Sequence, residues 1–335
     1  MLEVKTDTSR LSNKAVPGSS SSFSLAHISD LHLTTLKDAR VSQLLSKRML
    51  GYLSWWRKRR VVHRRDIVES LMDDLRVTRP DHIAVTGDLT HVGLPGEFVE
   101  AGQWLRTLGE PARVTVIPGN HEAYAGSSWI RSCSIWAPYL ESDCKQEIQQ
   151  TAGFFPSLRI RGQVALIGLC SAIASPPFMA VGCLGRTQLA GLETLLRGTG
   201  ERGLFRVVLI HHQPVPGAIE WRKRLVDSKD FIDVLVRHGA ELVLHGHTHS
   251  STFSQIPTPA GNIPVIGAPS ASELNPWTGS YAKYNIYKFE GNGTSTMIVR
   301  GYSQDLGRFV AEHETHLDNL QIKPAILHES HGVRA

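Results

Sequence analysis

Short runs rich in Val, Ile and Leu recur along the chain: "SLAHIS", "HIAVT", "RVTVI", "VALIGLC", "RVVLI", "ELVLH" and "IPVIG". Each stops at Gly, Pro, Asp, His or another small polar residue, as buried strands do. Between several of them the apolar period lengthens to that of a helix. In "PGEFVEAGQWLRTLG" Phe98, Ala101, Leu105 and Leu108 share one face, as Leu189, Leu192 and Leu196 do in "RTQLAGLETLLRG". "KDFIDVLVRHG" closes on a Gly suited to a helix C-terminus. Further on, "STFSQIPTPAGNIPVIG" and "YAKYNIYKFEGNGTSTMIVRGY" read as hairpins turning at Gly and Asn. Strand–helix alternation followed by hairpins predicts an α/β domain, with two mixed sheets face to face and helices outside.

No repeat period and no internal linker interrupts this pattern, so one domain is expected over residues 23–312. A flexible leader, 1–22, precedes it, and a tail, 313–335, follows. One helical stretch falls outside the alternation. Val41, Leu44, Leu45, Met49, Tyr52, Leu53 and Trp56 follow helical spacing, and another helix begins near His63 with Ile67, Val68, Leu71, Met72 and Leu75 as its face. The latter has the pattern of a core helix between the first two strands. The former is an insert, about 41–62.

Charge sets the insert apart. The chain of 335 residues carries +5 formally, yet Lys47, Arg48, Arg57, Lys58, Arg59, Arg60, Arg64 and Arg65 lie together with no acid among them. Without those eight cations the remainder stands at −3. Hydrophobic residues make up 41% and charged residues 20%, a globular balance. No apolar run approaches the length of about eighteen residues that crosses a bilayer. The first residues lack the apolar stretch of a secretory signal, so a cytoplasmic protein is expected. Cys133, Cys144, Cys170 and Cys183 show no C-x-x-C spacing and read as reduced thiols, in preference to a Cys133–Cys144 disulfide.

The chemistry gathers where strands end. After "SLAHIS" come Asp30 and His32, after "HIAVT" Asp88, and after "RVTVI" Asn120 and His121. "RVVLI" runs into His211 and His212, and "ELVL" into "HGHTH" with His247 and His249. Ligand-binding groups in α/β sheets collect at such strand ends. Asp, His and Asn suit Mn, Fe or Zn, with Mn expected here. In D-x-H and H-x-H, residues two apart in an extended segment point the same way, so each pair can serve one site. So many ligands exceed what one ion needs while binding substrate, and point to two ions roughly 3.5–4 Å apart.

Taken alone, each fragment is commonplace. Their order, "D-x-H … G-D … G-N-H-E … H … G-H-x-H", resembles the signature of the calcineurin-like metallophosphoesterases, over residues 24 to about 300. The resemblance implies a four-layer α/β/β/α sandwich with a dinuclear centre. Carried over by motif, Asp30, His32 and His249 would bind one ion, Asn120, His211 and His247 the other, and Asp88 would bridge them. His121, beside Asn120, would then be the general acid or a donor to the phosphoryl group. His212, pointing the opposite way in a strand, reads as a buried supporting histidine. Many relatives carry a second Asp in "GDxxD" that orients the catalytic histidine; here "GDLTH" puts His91 in its place. Another carboxylate must then support His121, or the acid is weaker.

The insert has three readings: a packed helix with a solvated basic end, a nucleic-acid arm, or a membrane contact. Trp55, Trp56, Arg57, Lys58, Arg59 and Arg60 suit an anionic membrane surface. Nucleic acid is disfavoured, because no capping or dimerising domain accompanies the cations. In position and character the insert resembles a segment in the family branch that cleaves the pyrophosphate of UDP-2,3-diacylglucosamine. The expectation is a metal-dependent hydrolase of a phosphodiester or pyrophosphate bond in a phosphorylated small-molecule or lipid substrate, peripheral on the cytosolic face of the inner membrane. The rivals are a soluble cyclic-nucleotide or general phosphodiesterase and a non-catalytic protein-binding scaffold.

Overall fold

The computed structural model describes residues 22–37, 39–126, 129–143, 153–291 and 294–317. The leader up to residue 21, Cys144 and the tail from 318 lie outside the described residues. The chain runs β1 (Phe23–Ile28), α1 (Val41–Leu44), α2 (Arg48–Ser54), a π turn (Trp55–Arg59), α3 (Arg60–Val62), α4 (Arg65–Thr78) and β2 (His82–Val85). It continues through α5 (Pro95–Leu108), β3 (Val114–Val116), α6 (Trp129–Cys133), α7 (Ala137–Leu140), β4 (Ser157–Arg161), β5 (Val164–Gly168), α8 (Arg186–Glu201) and β6 (Phe205–Leu209). Last come α9 (Ser228–His238), β7 (Leu242–His245), β8 (Thr252–Thr258), β9 (Gly261–Gly267), β10 (Lys283–Phe289), β11 (Ser295–Ser303) and β12 (Arg308–His316). Each apolar run quoted above forms a strand. β12 has no counterpart among the expected elements, and it carries the sheet that contains β1 past the expected domain end at residue 312.

Two six-stranded sheets form, in the orders β12-β11-β10-β1-β2-β3 and β4-β5-β6-β7-β9-β8. In the first sheet the parallel strands β1–β2–β3 form one end and antiparallel strands the other; in the second, the parallel β5–β6–β7–β9 occupy the middle with an antiparallel strand on either side. Alternation along each strand explains the layers. Ile83 and Val85 of β2 face Leu71 of α4 and Phe98 of α5, while Ala84 turns to the seam between the sheets with Leu166, Leu209 and Leu244. The other faces of β5 and β6, through Ile167 and Val208, pack on Leu192 of α8 and Phe231 of α9. The result is the four-layer α/β/β/α sandwich. Each such side chain contributes about 1.5–3 kcal/mol when fully buried.

The insert departs from its expected form. The helix breaks at residues 45–47 and resumes as α2, the π turn and α3. Leu44, Trp55 and Val62 are buried, whereas Val41, Leu45, Leu53 and Trp56 are exposed. Trp55, expected at a membrane, is only 6% exposed and packs with Leu36, Val92 and Leu94. A π turn fits an extra residue into the turn, so the apolar phase read from regular helical spacing slips. Gly51 lets this helix approach: a Cβ there would meet Val92 at 2.5 Å and the Tyr124 hydroxyl at 2.7 Å. Two cations clamp the start. Lys47 Nζ donates to the Ser175 and Met179 carbonyls, and Arg48 to those of Val92 and Gly93.

Candidate metal centre

Every strand end named above delivers its polar residues to one end of the sandwich. The backbone there is not extended. Asp30, His32, Asp88, His247 and His249 have φ of 53°, 44°, 56°, 69° and 53°, the left-handed region. Each such residue costs roughly 1–2 kcal/mol, so the surroundings must impose it. The pairs Asp30/His32 and His247/His249 therefore reach one site through successive left-handed kinks, and the alternation of an extended strand is not the cause. Close backbone approach needs glycine: a Cβ on Gly119 would lie 2.2 Å from Asp88 Oδ1, and one on Gly246 would lie 2.5 Å from Asp30 Oδ2.

Glu122, which the motif contains but sequence reasoning gives no role, imposes much of this shape. Its buried carboxylate accepts the backbone N–H groups of Asp88, Leu89, Thr90 and Gly119 at 2.7–2.9 Å, and the Thr90 hydroxyl at 3.1 Å. It thereby ties the loop after β2 to the loop after β3. Burial and the neighbouring Asp88 charge push its carboxyl up to about 7, against the N–H groups that favour its charged form. Glu97 does the same for the following turn, accepting from the N–H groups of His91, Val92 and Leu94.

The polar side chains meet as follows. Asp30 Oδ2 accepts the His247 N–H at 2.9 Å; its Oδ1 is buried, without a hydrogen bond, 3.3 Å from His249 Nε2. Asp88 Oδ1 accepts the His121 N–H at 2.8 Å, and Oδ2 lies 3.4 Å from His211 Nε2. His32 Nδ1 donates to the Thr90 carbonyl at 2.9 Å, which turns Nε2 inward. His211 Nδ1 donates to the Thr86 carbonyl at 2.6 Å, leaving Nε2 3.0 Å from Asn120 Oδ1. Donor atoms of Asp88, His211 and His247 lie within 4.8 Å of one another, and so do those of His32, Asp88 and His121. Buried oxygen and imidazole donors of this kind, one carboxylate oxygen unpartnered, fit divalent ions of the Mn, Fe and Zn class.

The protonation pattern agrees. Burial pulls the His249 imidazole down, but the Asp30 and Glu273 carboxylates outweigh it and raise it to about 10. His211 is likewise lowered by burial and lifted, chiefly by Asp88, to about 9. In the metal-free protein these two protons neutralise the carboxylates that cations would otherwise neutralise.

His121 lies against the same cluster, its Nε2 4.0 Å from Asp88 Oδ2 and its Nδ1 on the His91 carbonyl. The position that many relatives fill with a second Asp thus acts here through its backbone oxygen. Arg59 Nη1 approaches His121 Nδ1 at 3.2 Å. Expected at a membrane, Arg59 instead turns inward from the π turn and has no ion pair with a carboxylate among the described residues. His212 is buried, its Nδ1 2.7 Å from the Ser171 hydroxyl, although it lies in the bend after β6 and not in a strand. A cavity of about 420 Å³ opens over the cluster, with Lys58, Arg59, His63, Lys223 and Asn275 in its walls. Larger clefts between α4 and α5 and at the Phe23–Phe205 end gather no such imidazole cluster.

Residues 23–251 match the family described as calcineurin-like phosphoesterase. The chain belongs to that family. As a calcineurin-like phosphoesterase it is a metal-dependent hydrolase, and the family's centre is dinuclear. It is 28% identical over 234 residues to the glycerophosphodiester phosphodiesterase GpdQ of Enterobacter lignolyticus, covering 69% of this chain and 72% of that one. A probable cyclic nucleotide phosphodiesterase of Synechococcus is 25% identical over 237 residues, covering 70% of this chain and 76% of its own. Among solved structures, a dimetal phosphatase from Danio rerio superposes with a TM-score of 0.54 at 15% identity, over 86% of this chain and 98% of that one. That likeness supports the sandwich fold. Among the described residues no helix is long and apolar enough to cross a membrane.

Proposed function

We propose that the protein hydrolyses a phosphodiester or pyrophosphate bond with two divalent ions, Mn first among them, in a substrate presented at a membrane surface. Asp30, His32 and His249 would hold one ion, Asn120, His211 and His247 the other, and Asp88 would touch both. Bound there, such a pair makes hydroxide available at neutral pH and neutralises phosphoryl charge. The chain's own residues supply the rest. Arg59, Lys58 and Lys223 line the cavity and receive phosphate oxygens. The His91 carbonyl holds His121 Nδ1–H and aims Nε2 toward the leaving oxygen. Burial and nearby Arg59 hold the His121 imidazole well below the ordinary histidine range. An anionic substrate beside Arg59 would offset that charge and favour the protonated form of His121. Pyrophosphates, whose leaving group is itself a phosphate, need less help from such an acid than alkyl esters do.

The observation that carries the reading is the two-sided insert. Its inner side presents Arg59 to the cavity; its outer side exposes Leu50, Leu53, Trp56 and Val61 beside Arg57 and Arg60. Phe178, Trp221 and Trp277 are also exposed, each two residues from a cavity-wall residue, Ala180, Lys223 and Asn275 respectively. Aromatic and cationic side chains around a catalytic mouth suit an anionic bilayer. The relatives named above favour a different reading, a soluble phosphodiesterase acting on glycerophosphodiesters or cyclic nucleotides.

A side-by-side assay with Mn decides between them, using UDP-2,3-diacylglucosamine, a glycerophosphodiester, cyclic AMP and chromogenic mono- and diesters. Preferential turnover of the lipid pyrophosphate supports the membrane reading. Turnover of the soluble diesters alone installs the soluble phosphodiesterase. A protein that binds no metal and hydrolyses none of them is the scaffold.

A further inference from the structure

One imidazole at the centre belongs to none of the motifs. His63 ends the insert, as the extended residue capping α3. The segment after β9 grips its backbone on both sides: Leu274 N–H donates to the Val62 carbonyl at 2.8 Å, and Arg64 N–H to that of Ser272 at 3.1 Å. Its Nδ1 lies 2.9 Å from the Ser272 hydroxyl, which fixes the ring. The other edge faces His32 and His249, at centroid distances of 4.5 and 5.7 Å. One donor atom from each of the three lies within 4.8 Å of the others. His32 and His63 both commit Nδ1 to an oxygen partner, which leaves both Nε2 atoms without a hydrogen bond from any described side chain, and one nitrogen of each ring lies within 4.8 Å of the other. A cation satisfies that arrangement, and a ring held at its far nitrogen is how ligating histidines are oriented.

We propose that His63 is an additional imidazole ligand of the ion held by Asp30, His32 and His249, supplied to the centre by the insert. The proposal rests on the ion assignment above. It makes the insert part of the metal site as well as its wall.

Titration of the metal-free protein with Co²⁺, followed by heat and by visible absorption, tests it without any substrate. Wild type should bind two ions. In His63→Ala one ion should bind as before and the other about tenfold or more weakly, with altered Co²⁺ absorption. Arg57→Ala, on the outer side of the same insert, should match wild type. Wild-type affinities and an unchanged spectrum in His63→Ala would overturn the proposal. A wild-type protein that takes up no Co²⁺ would overturn the ion assignment instead. Should the variant fail to fold, the Co²⁺-loaded wild type serves by proton NMR. A strongly shifted imidazole N–H with a cross-peak to the Ser272 side chain is expected, and an unshifted one refutes the role.

Discussion

Removing the Glu122 carboxyl strands the N–H groups of Asp88, Leu89, Thr90 and Gly119 in the interior. Glu122→Ala should therefore cost at least about 3 kcal/mol and lower metal retention, read by thermal melting and metal analysis of the same sample. The neighbours divide differently. Asp88→Ala or His247→Ala should lose metal and activity together, whereas His121→Ala should keep its metal and lose about a hundredfold to ten-thousandfold in kcat. Full turnover by His121→Ala would remove its assigned role. At this scale the ligand residues are legible, because D-x-H, G-D, G-N-H-E and G-H-x-H keep their order and spacing. The service of Glu122 is not, because a carboxylate that binds backbone N–H groups leaves no spacing rule. Nor is the left-handed backbone at the ligand positions, which tertiary contacts impose on residues that would otherwise avoid it.

Among the elements, strands buried on both faces and helices with one apolar face announce themselves. β12 does not, since Phe309 is its one buried hydrophobic side chain. The insert misleads for a comparable reason: its apolar residues exceed what one face can hold, so spacing alone does not say which face packs. Gly51→Leu should push the insert off Val92 and Tyr124, withdraw Arg59 and raise KM for a diester, while the melting temperature of the sandwich changes little. β2 carries a pH effect of its own. His82, facing the seam between the sheets 2.7 Å from the Thr115 hydroxyl, is held down to about 3 by burial first and then by Arg161 and Arg159. Unfolded chains bind a proton below about pH 6.5 that the native protein refuses, so stability falls as pH drops below that value. At pH 5 this one group accounts for about 2 kcal/mol. The gap between wild type and His82→Gln should narrow by that amount between pH 7.5 and 5 in denaturant titrations.

For the molecule as a whole, strand–helix alternation is enough to foretell two sheets with helices outside. The placing of β9 between β7 and β8 is not foreseeable, since it depends on which strand of the β8–β9 hairpin meets the free edge of β7. The concentration of positive charge on the insert has a measurable outcome. Replacing Leu53, Trp56, Arg57 and Arg60 with Ser should abolish sedimentation with anionic vesicles and leave hydrolysis of a small chromogenic diester intact. Unchanged sedimentation would show that the outer side of the insert is not a membrane contact.

The π turn at residues 55–59 has a consequence for chain length. The extra residue is taken up within the turn, so losing it there would leave the flanking turns in phase, whereas losing a residue from α3 would rotate everything upstream by roughly 100° relative to His63. Trp55 would swing out of its pocket, while His63, anchored by Ser272 and Leu274, would stay. A single codon lost or gained in α3 would thus separate the two sides of the insert from the duties they now have, with no change in any motif residue. Length between the π turn and His63 is therefore a more telling character than identity when related chains are compared for what they hydrolyse.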